Sequence, residues 1–325
     1  MPQPTSAVNR LDLGLRVSEF DTAADRLGFI GSKVFPILTR DKDHGDFPKF
    51  KEEQLLQTRD TNRGPGGDYP RSEGEWDMDT FQTAGKGHEA PVDETTAAKY
   101  GDIVDAEMYE SERITDIVLR GFEIAAAAAA FNATTWSGKT TNLSTPWSTH
   151  ASATPRDDIN TARESIFDNC AMEPNALVLS RPAFRDLTYC DDIIDNLKSQ
   201  NFVDVRAGAI SQAQMAVALD LDRIIVCGAG KNTANPAQTR SNARIWDKTK
   251  GLLAKIAVTD NPAEPCIGRT IIWSDEGVMD GDDLGVILES YYEDRNRTNW
   301  FRARTDYVIK MLYTSMGWML TNVTA

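Results

Sequence analysis

The sequence predicts an α+β protein of elongated outline, and three observations predict it. Residues 41–92 lose helical periodicity and are dense in Asp, Lys, Gly and Pro. Residues 93–131 read as a long helix. Beyond them helices mix with a few uneven strands, and from Ala243 onward β signals dominate. With 325 residues, 41% of them hydrophobic and 26% charged, the chain can build one large core or two smaller ones, which argues against disorder as a description of the whole.

The stretch 41–92 centres on the turn-rich run Thr61-Asn62-Arg63-Gly64-Pro65-Gly66-Gly67-Asp68. Extended flanks surround it: 46–51 alternates weakly, and 75–82 alternates better, with Trp76, Met78 and Thr80 opposed to Asp77, Asp79 and Phe81. The pattern is that of a long two-stranded arm. A connection of about 50 residues far exceeds ordinary loop lengths, so the segment is a functional projection or disordered. Its aromatics, Tyr69, Trp76 and Phe81, favour a projection that meets a partner surface.

In the helix that follows, Ile114, Ile117, Val118, Phe122 and Ala125 recur at the three-and-four spacing of one face, while Glu107, Glu110, Arg113, Asp116 and Arg120 take the other side. Even with Gly101 breaking the first turns, roughly 30 residues of helix would extend about 45 Å. The run from Ala125 to Ala130 has high helix propensity and little bulk, which lets another backbone approach closely.

A polar loop, 132–153, separates this helix from a mixed region. Thr154-Pro155 with Asp157 and Asp158 marks a helix start, by hydroxyl cap, first-turn proline and acids at the positive end of the dipole; the helix should run to about Met172. Residues 175–180 read as a buried strand, and Ser180-Arg181-Pro182 opens a helix turning Phe184 and Leu187 inward. Ser211 with Gln214 forms a capping box before a helix ending near Leu219, and 223–226 is again a strand. The late strands are expected at 252–258, 269–273, 286–292 and 304–312.

Several classes of function find no support. The net charge of -14 would repel a phosphate backbone, so sequence-specific binding of nucleic acid is not expected. Apolar runs near 124–131 and 307–320 are too short or too interrupted to cross a bilayer, and the first 20 residues lack the apolar block of a secretory signal. Cys170, Cys190, Cys227 and Cys266 are too far apart in sequence for the close pairs of metal or redox sites and read as buried, reduced thiols.

Gly228-Ala229-Gly230-Lys231 after a strand suggests a phosphate loop, but Ile225 stands where the first glycine should be and Asn232 where Ser or Thr should follow the lysine. Thr233 likewise occupies the third glycine position of the dinucleotide fingerprint, so the reading is a glycine turn ending a strand. The acidic group Asp275, Glu276, Asp280, Asp282 and Asp283 does not match the spacing of a calcium loop and reads as a solvated turn. His44, His88 and His150 sit in polar contexts without partner motifs. No catalytic, cofactor-binding or metal-ligating residue is assigned.

The order of these features resembles the major capsid proteins of tailed phages, which have the Hong-Kong-97-type fold. The most specific match is Phe29-Ile30-Gly31-Ser32-Lys33-Val34-Phe35-Pro36-Ile37-Leu38, similar to the passage where the family's N-terminal arm meets the body and enters the extended loop. The Gly-rich arm resembles the family's E-loop and the Ala-rich helix its spine helix. Asn175-Ala176-Leu177-Val178-Leu179-Ser180, Pro182-Ala183-Phe184 and the segment 215–226 resemble the axial domain. Residues 306–310 and 318–323 resemble the closing strands.

The resemblance implies an N-terminal arm over 1–40, an E-loop over 41–92 and a peripheral domain with spine helix over 93–172. It further implies an axial domain over 173–303 and closing strands over 304–325. It implies a structural head protein, not an enzyme and without a cofactor, that assembles with itself into hexamers and pentamers of an icosahedral shell around double-stranded DNA. Tyr69, Trp76, Phe81, Phe35 and Pro36 are then the expected assembly contacts. Scaffolding, portal and decoration proteins are the further partners, no membrane is involved, and the place of action is the virion, assembled in the host cytoplasm. The short N-terminus leaves no room for a fused scaffolding domain, which implies a separate scaffold or prior processing. A nanocompartment shell of the same fold, similar to the encapsulins, and a nucleotide-binding enzyme using the Gly228 loop are the alternatives.

Overall fold

The computed structural model describes residues 8–9, 28–51, 56–63, 65–100, 106–199, 210–235, 237–274 and 284–325. Most of the expected N-terminal arm, Gly64 and the acidic stretch 275–283 therefore lie outside the described residues. In chain order the first elements are strand β1 (Val8–Asn9), helix α1 (Gly31–Val34), β2 (Ile37–Arg40), β3 (His44–Phe50), β4 (Trp76–Gln82) and β5 (Ala84–Asp93). Helices α2 (Glu94–Tyr100) and α3 (Ala106–Ala130), strand β6 (Thr140–Asn142) and helix α4 (Pro155–Cys170) follow. Next come β7 (Ala176–Ser180), α5 (Arg181–Tyr189), α6 (Asp191–Ser199) and α7 (Gln212–Ala218). The remainder is β8 (Arg223–Cys227), β9 (Gly230–Asn232), β10 (Asn242–Arg244), β11 (Lys250–Ala254), β12 (Gly268–Trp273), β13 (Ile287–Glu293), β14 (Thr298–Met311) and β15 (Gly317–Thr321).

Two sheets organise these elements. In the six-stranded sheet, of order β1-β13-β14-β12-β2, the long β14 also carries β5, antiparallel from Thr298↔Asp93 to Tyr307↔Ala84. Strand alternation explains how α3 lies on it: Phe301, Ala303, Thr305 and Tyr307 are buried, while Trp300, Arg302, Arg304 and Asp306 between them face outward. The buried side of α3 supplies Ile114, Val118, Leu119, Phe122 and Ala126, with the Phe122 and Tyr307 rings edge to face at 5.2 Å. At its 25 residues α3 is about 37 Å long. Of the helix expected from Asp93 the structure describes α2 and α3, and residues 101–105 between them lie outside the described residues.

The five-stranded sheet has the order β6-β15-β11-β7-β8. Its interior strand β7, between β11 and β8, is buried at every position, as befits a strand covered on both faces. Trp136, Trp147 and Trp246 are fully buried around it. Gly317 opens β15 because a Cβ there would stand 2.6 Å from the Trp136 ring. The capping box of Ser211 and Gln214 is formed. At α4, Thr154 occupies the N-cap without a side-chain bond; the carboxylate of Asp192 accepts from the Arg156 amide instead (3.2 Å). Leu187 is buried as expected, whereas Phe184 is only partly covered.

Sheet membership does not follow contiguous ranges of the chain. Within 41–92, β3 and β4 form a separate two-stranded sheet, while β5 belongs to the six-stranded sheet. β12 and β13, within the expected axial range, join that same sheet, and the closing strand β15 joins the five-stranded one with β6. Strands pair by proximity in space, so a fourteen-residue β14 recruits both the adjacent β13 and the distant β5 and β12 from earlier in the chain.

A buried carboxylate joins the parts. Glu123, on α3 and almost wholly buried, accepts from the amides of Ile30 (3.0 Å) and Gly31 (2.7 Å) at the start of α1 and from Trp246 Nε1 (2.6 Å). Gly31 is needed for this approach, because a Cβ would meet Phe122 Cε1 at 2.8 Å and Glu123 Oε2 at 2.9 Å. Burial pushes the Glu123 pKa above its ordinary 4.5, although the three donors oppose the shift. The folded chain thus holds this proton more tightly than the unfolded one, so the contribution is fullest at low pH and is lost as pH rises through the folded pKa. Glu123→Ala should lower stability by about 3 kcal/mol in urea unfolding, since it orphans three buried donors. Glu123→Gln, which cannot ionise, should lose less and should flatten the decline of stability as pH rises above 4.5.

Candidate assembly surfaces

The β3–β4 hairpin has two unlike faces. Its register pairs Pro48 with Met78, Phe47 with Asp79 and Lys49 with Asp77, and directly paired residues share a face. One face holds Phe47, Lys49, Asp79 and Phe81 and turns to the subunit body. There Phe47 and Phe81 lie 6.5 Å apart, Lys49 stands 5.3 Å over the Tyr313 ring, and Lys310 Nζ donates to Asp79 Oδ1 (2.8 Å) and to the Thr80 carbonyl (2.9 Å). The other face holds Pro48, Trp76 and Met78; Trp76 is 63% and Met78 59% exposed. Outward-facing apolar side chains on a two-stranded ribbon are what a covering partner would bury. Among the described residues β3 and β4 pair only with each other, which leaves a backbone edge open on each side.

Towards the tip, Lys51 bridges to Glu75 (3.0 Å) and Asp77 (3.6 Å). Beyond it the Arg63 guanidinium lies 4.6 Å over the ring of exposed Tyr69 while its Nε donates to the Gly67 carbonyl (2.7 Å). The tip thus presents Tyr69 on a local support. A second outward surface is the charged side of the six-stranded sheet. Arg302 pairs with Glu89 and Glu289, and Arg304 with Glu289 (2.8 Å) and Asp306 (3.6 Å), beside a shallow groove over Gly85 and Gly87.

The expected contact residues divide on this geometry. Tyr69 and Trp76 are exposed on the projection, and Pro36 is half-buried at the entry to β2. Phe81 is buried at the hairpin base and Phe35 is buried completely, so neither presents a surface to another copy. Phe35 instead packs under Gly268, where a Cβ would meet its ring at 3.2 Å. Met78 and Pro48 were missed; the strand alternation that singled out Trp76 also points Met78 the same way.

The arrangement offers little to nucleophilic chemistry. All four cysteines are buried and free, and burial above all pushes the Cys190 and Cys227 thiols up to about 12, with nearby carboxylates adding to the shift and the Ala229 amide opposing it at Cys227. His44 sits 2.6 Å from Asp43, His88 lies on exposed β5, and His150 stands 3.6 Å from Asp186. The Gly228 loop is a turn from β8 into β9; the Gly228 amide donates to the Gly28 carbonyl (3.4 Å) and Lys231 pairs with Ala243 across β9 and β10. Among the described residues no group of His, Cys, Asp and Glu could hold a metal ion, and no helix is long and apolar enough to cross a membrane.

No protein-family model matches the sequence, and no curated protein matches it. Solved structures do. A phage-related protein from Bordetella bronchiseptica RB50 superposes with a TM-score of 0.68 at 19% identity, over 98% of this chain and 99% of that one. The capsid of the cyanophage P-SCSP1u gives 0.57 at 11% identity, over 89% and 86%. The encapsulin complex of Synechococcus elongatus PCC 7942 gives 0.50 at 10% identity, over 90% and 86%. Phage capsid structures dominate these matches, and at such identities they establish the fold: this is the Hong-Kong-97-type α+β fold of phage capsid proteins that the sequence resemblance implied.

The Lys310 latch has a readable consequence. Burial opposes the charge on Asp79, but the bonds from Lys310 and from the Thr80 amide outweigh it and hold the carboxyl below its ordinary 3.8. A depressed carboxyl contributes fully above that ordinary value and loses its contribution as pH falls through the lower, folded one. Lys310→Met should therefore raise hydrogen exchange in β3 and β4 at neutral pH with only about 1 kcal/mol of global stability lost. In the native chain, acidification below about pH 3.8 should loosen the same strands.

Proposed function

We propose that this chain is a major capsid protein that assembles with itself, as hexamers and pentamers, into an icosahedral shell enclosing double-stranded DNA. The observation that carries the reading is the hairpin: a chain that builds its cores on two sheets leaves Pro48, Trp76 and Met78 facing outward on a separate two-stranded ribbon. Such a face and two open strand edges are a liability in a monomer and an interface when a neighbour covers them. The phage capsids among the structural matches support the same reading. The chain is structural rather than catalytic, in keeping with thiols held protonated and a glycine loop spent on packing.

Several moderate contacts per subunit suffice, because linkage around a closed shell multiplies them. The net charge of -14 suits a wall that contains DNA without adhering to it, since a negative lining leaves the packed polymer mobile. Scaffolding, portal and decoration proteins are the partners such a head would use, and the virion is its place, reached by assembly in the host cytoplasm. The superposition on an encapsulin favours one second reading, a nanocompartment shell loaded with protein cargo. Purified particles separate the two: thin-walled heads that package DNA support the capsid reading, and uniform cages with a single protein cargo support the compartment.

Trp76→Asp and Met78→Asp should leave the circular dichroism and melting temperature of the subunit nearly unchanged, because both side chains are exposed. Each should abolish closed particles in negative-stain images and leave small species in sedimentation. Intact shells from either variant would refute the role assigned to the hairpin.

A further inference from the structure

The end of the five-stranded sheet at which β7 and β8 begin carries three outward apolar side chains from three elements: Phe167 of α4, Val217 of α7 and Val258 of the loop after β11. Val217 is 58% and Val258 70% exposed. Their supports are joined beneath the surface. Arg163 of α4 donates to the carbonyls of Leu219 (2.7 Å) and Asp220 (2.8 Å), fastening α4 to the end of α7. Asn175 bonds the backbone of Ile256 through both ends of its amide (2.8 Å each), and Arg223 donates to the Ala257 carbonyl (3.3 Å).

The loop bearing Val258 is held rigidly as well. Arg269, almost wholly buried, donates from below to the carbonyls of Thr259 (3.0 Å) and Asn261 (2.6 Å), and Glu264 accepts from the amides of Val258 (2.9 Å) and Thr259 (2.8 Å). A preorganised loop gives up little conformational freedom on binding, which favours its use in recognition.

The exposed charge around these side chains is predominantly acidic, although Arg163 lies 3.6 Å from the carboxylates of both Glu173 and Asp220. Glu164, Asp168, Glu173, Asp220, Asp222 and Asp260 are exposed at this end, while Arg163, Arg223 and Arg269 turn inward to carbonyls. An apolar centre with an acidic rim complements a segment that carries Lys or Arg beside large apolar residues. The same surface on a second copy, whose own net charge is -14, would be repelled from it.

We propose that this end of the five-stranded sheet is a docking surface for a basic, amphipathic segment of another protein, separate from the hairpin contacts between copies. Phe167, Val217 and Val258 supply the anchors, and the carboxylates supply attraction and orientation. The inference uses no hairpin residue and stands whether the shell holds DNA or protein cargo.

The test is fluorescence anisotropy of a labelled synthetic helical peptide with Lys on one face and Leu on the other, titrated with the full-length chain. A Glu and Leu peptide of the same pattern serves as the contrast. The Lys peptide should bind, more weakly at high salt, and the Glu peptide should not. Val258→Asp and the double variant Asp168→Lys/Asp260→Lys should each weaken binding about tenfold, about 1.4 kcal/mol. The charge-matched control Asp195→Lys/Asp294→Lys, placed elsewhere, should change it less than about twofold. Melting curves matching the native chain would show that the variants fold. Equal loss in the control double, or equal binding of the Glu peptide, would overturn the proposal. So would a Val258→Asp variant that keeps peptide binding but fails to self-assemble, because the occupant would then be a second copy.

Discussion

A carboxylate removed from water is costly unless its oxygens are bonded, and at Glu123 three structural units meet that demand at once. The helix α3 carries the carboxylate, the start of α1 offers two amides, and Trp246, packed with the core of the five-stranded sheet, offers its indole. Each donor is itself buried and has to be satisfied, so the requirement is mutual. The entry of the chain into the body, the long helix and the second sheet are thereby held in one relative placement. Because burial raises the pKa of Glu123, the geometry also sets the sign of its dependence on pH.

From that placement the outward surfaces follow. With α3 covering one side of the six-stranded sheet, the other side must be polar, and the ladder of Glu89, Arg302, Glu289, Arg304 and Asp306 meets this by pairing charges across three strands. The hairpin leaves the body beyond this sheet, anchored by Phe47, Phe81 and the Lys310 latch on its inner side. What remains on its outer side is apolar, and no part of the described subunit pairs with its edges. The described chain is therefore closely bonded within its two sheets and leaves the outer face and both edges of the hairpin uncovered.

Strong local chemistry was readable in advance. The alternation of 75–82 located β4 and its two faces, the Ser211–Gln214 pair formed its capping box, and the apolar run 175–180 is the buried β7. The order of such elements was enough to point to the fold. Thr154 shows the limit of local chemistry: its hydroxyl suits an N-cap, yet a carboxylate from α6 satisfies the Arg156 amide instead. Phe35 shows another, since an aromatic beside a proline reads alike whether it meets a neighbour or fills its own core.

The sequence alone determined most element types, the alternating faces of 75–82 and the incompleteness of each catalytic motif it suggested, because periodicity, capping and spacing are properties of contiguous residues. Tertiary structure alone decided that Glu123 is buried and bonded to Ile30, Gly31 and Trp246, partners up to 123 positions away. It also decided that β5, β12, β13 and β14 share a sheet, and that Phe167, Val217 and Val258 gather at one end. The physical reason is that burial, pairing and shared surfaces depend on which distant segments approach one another, and no local pattern encodes that distance.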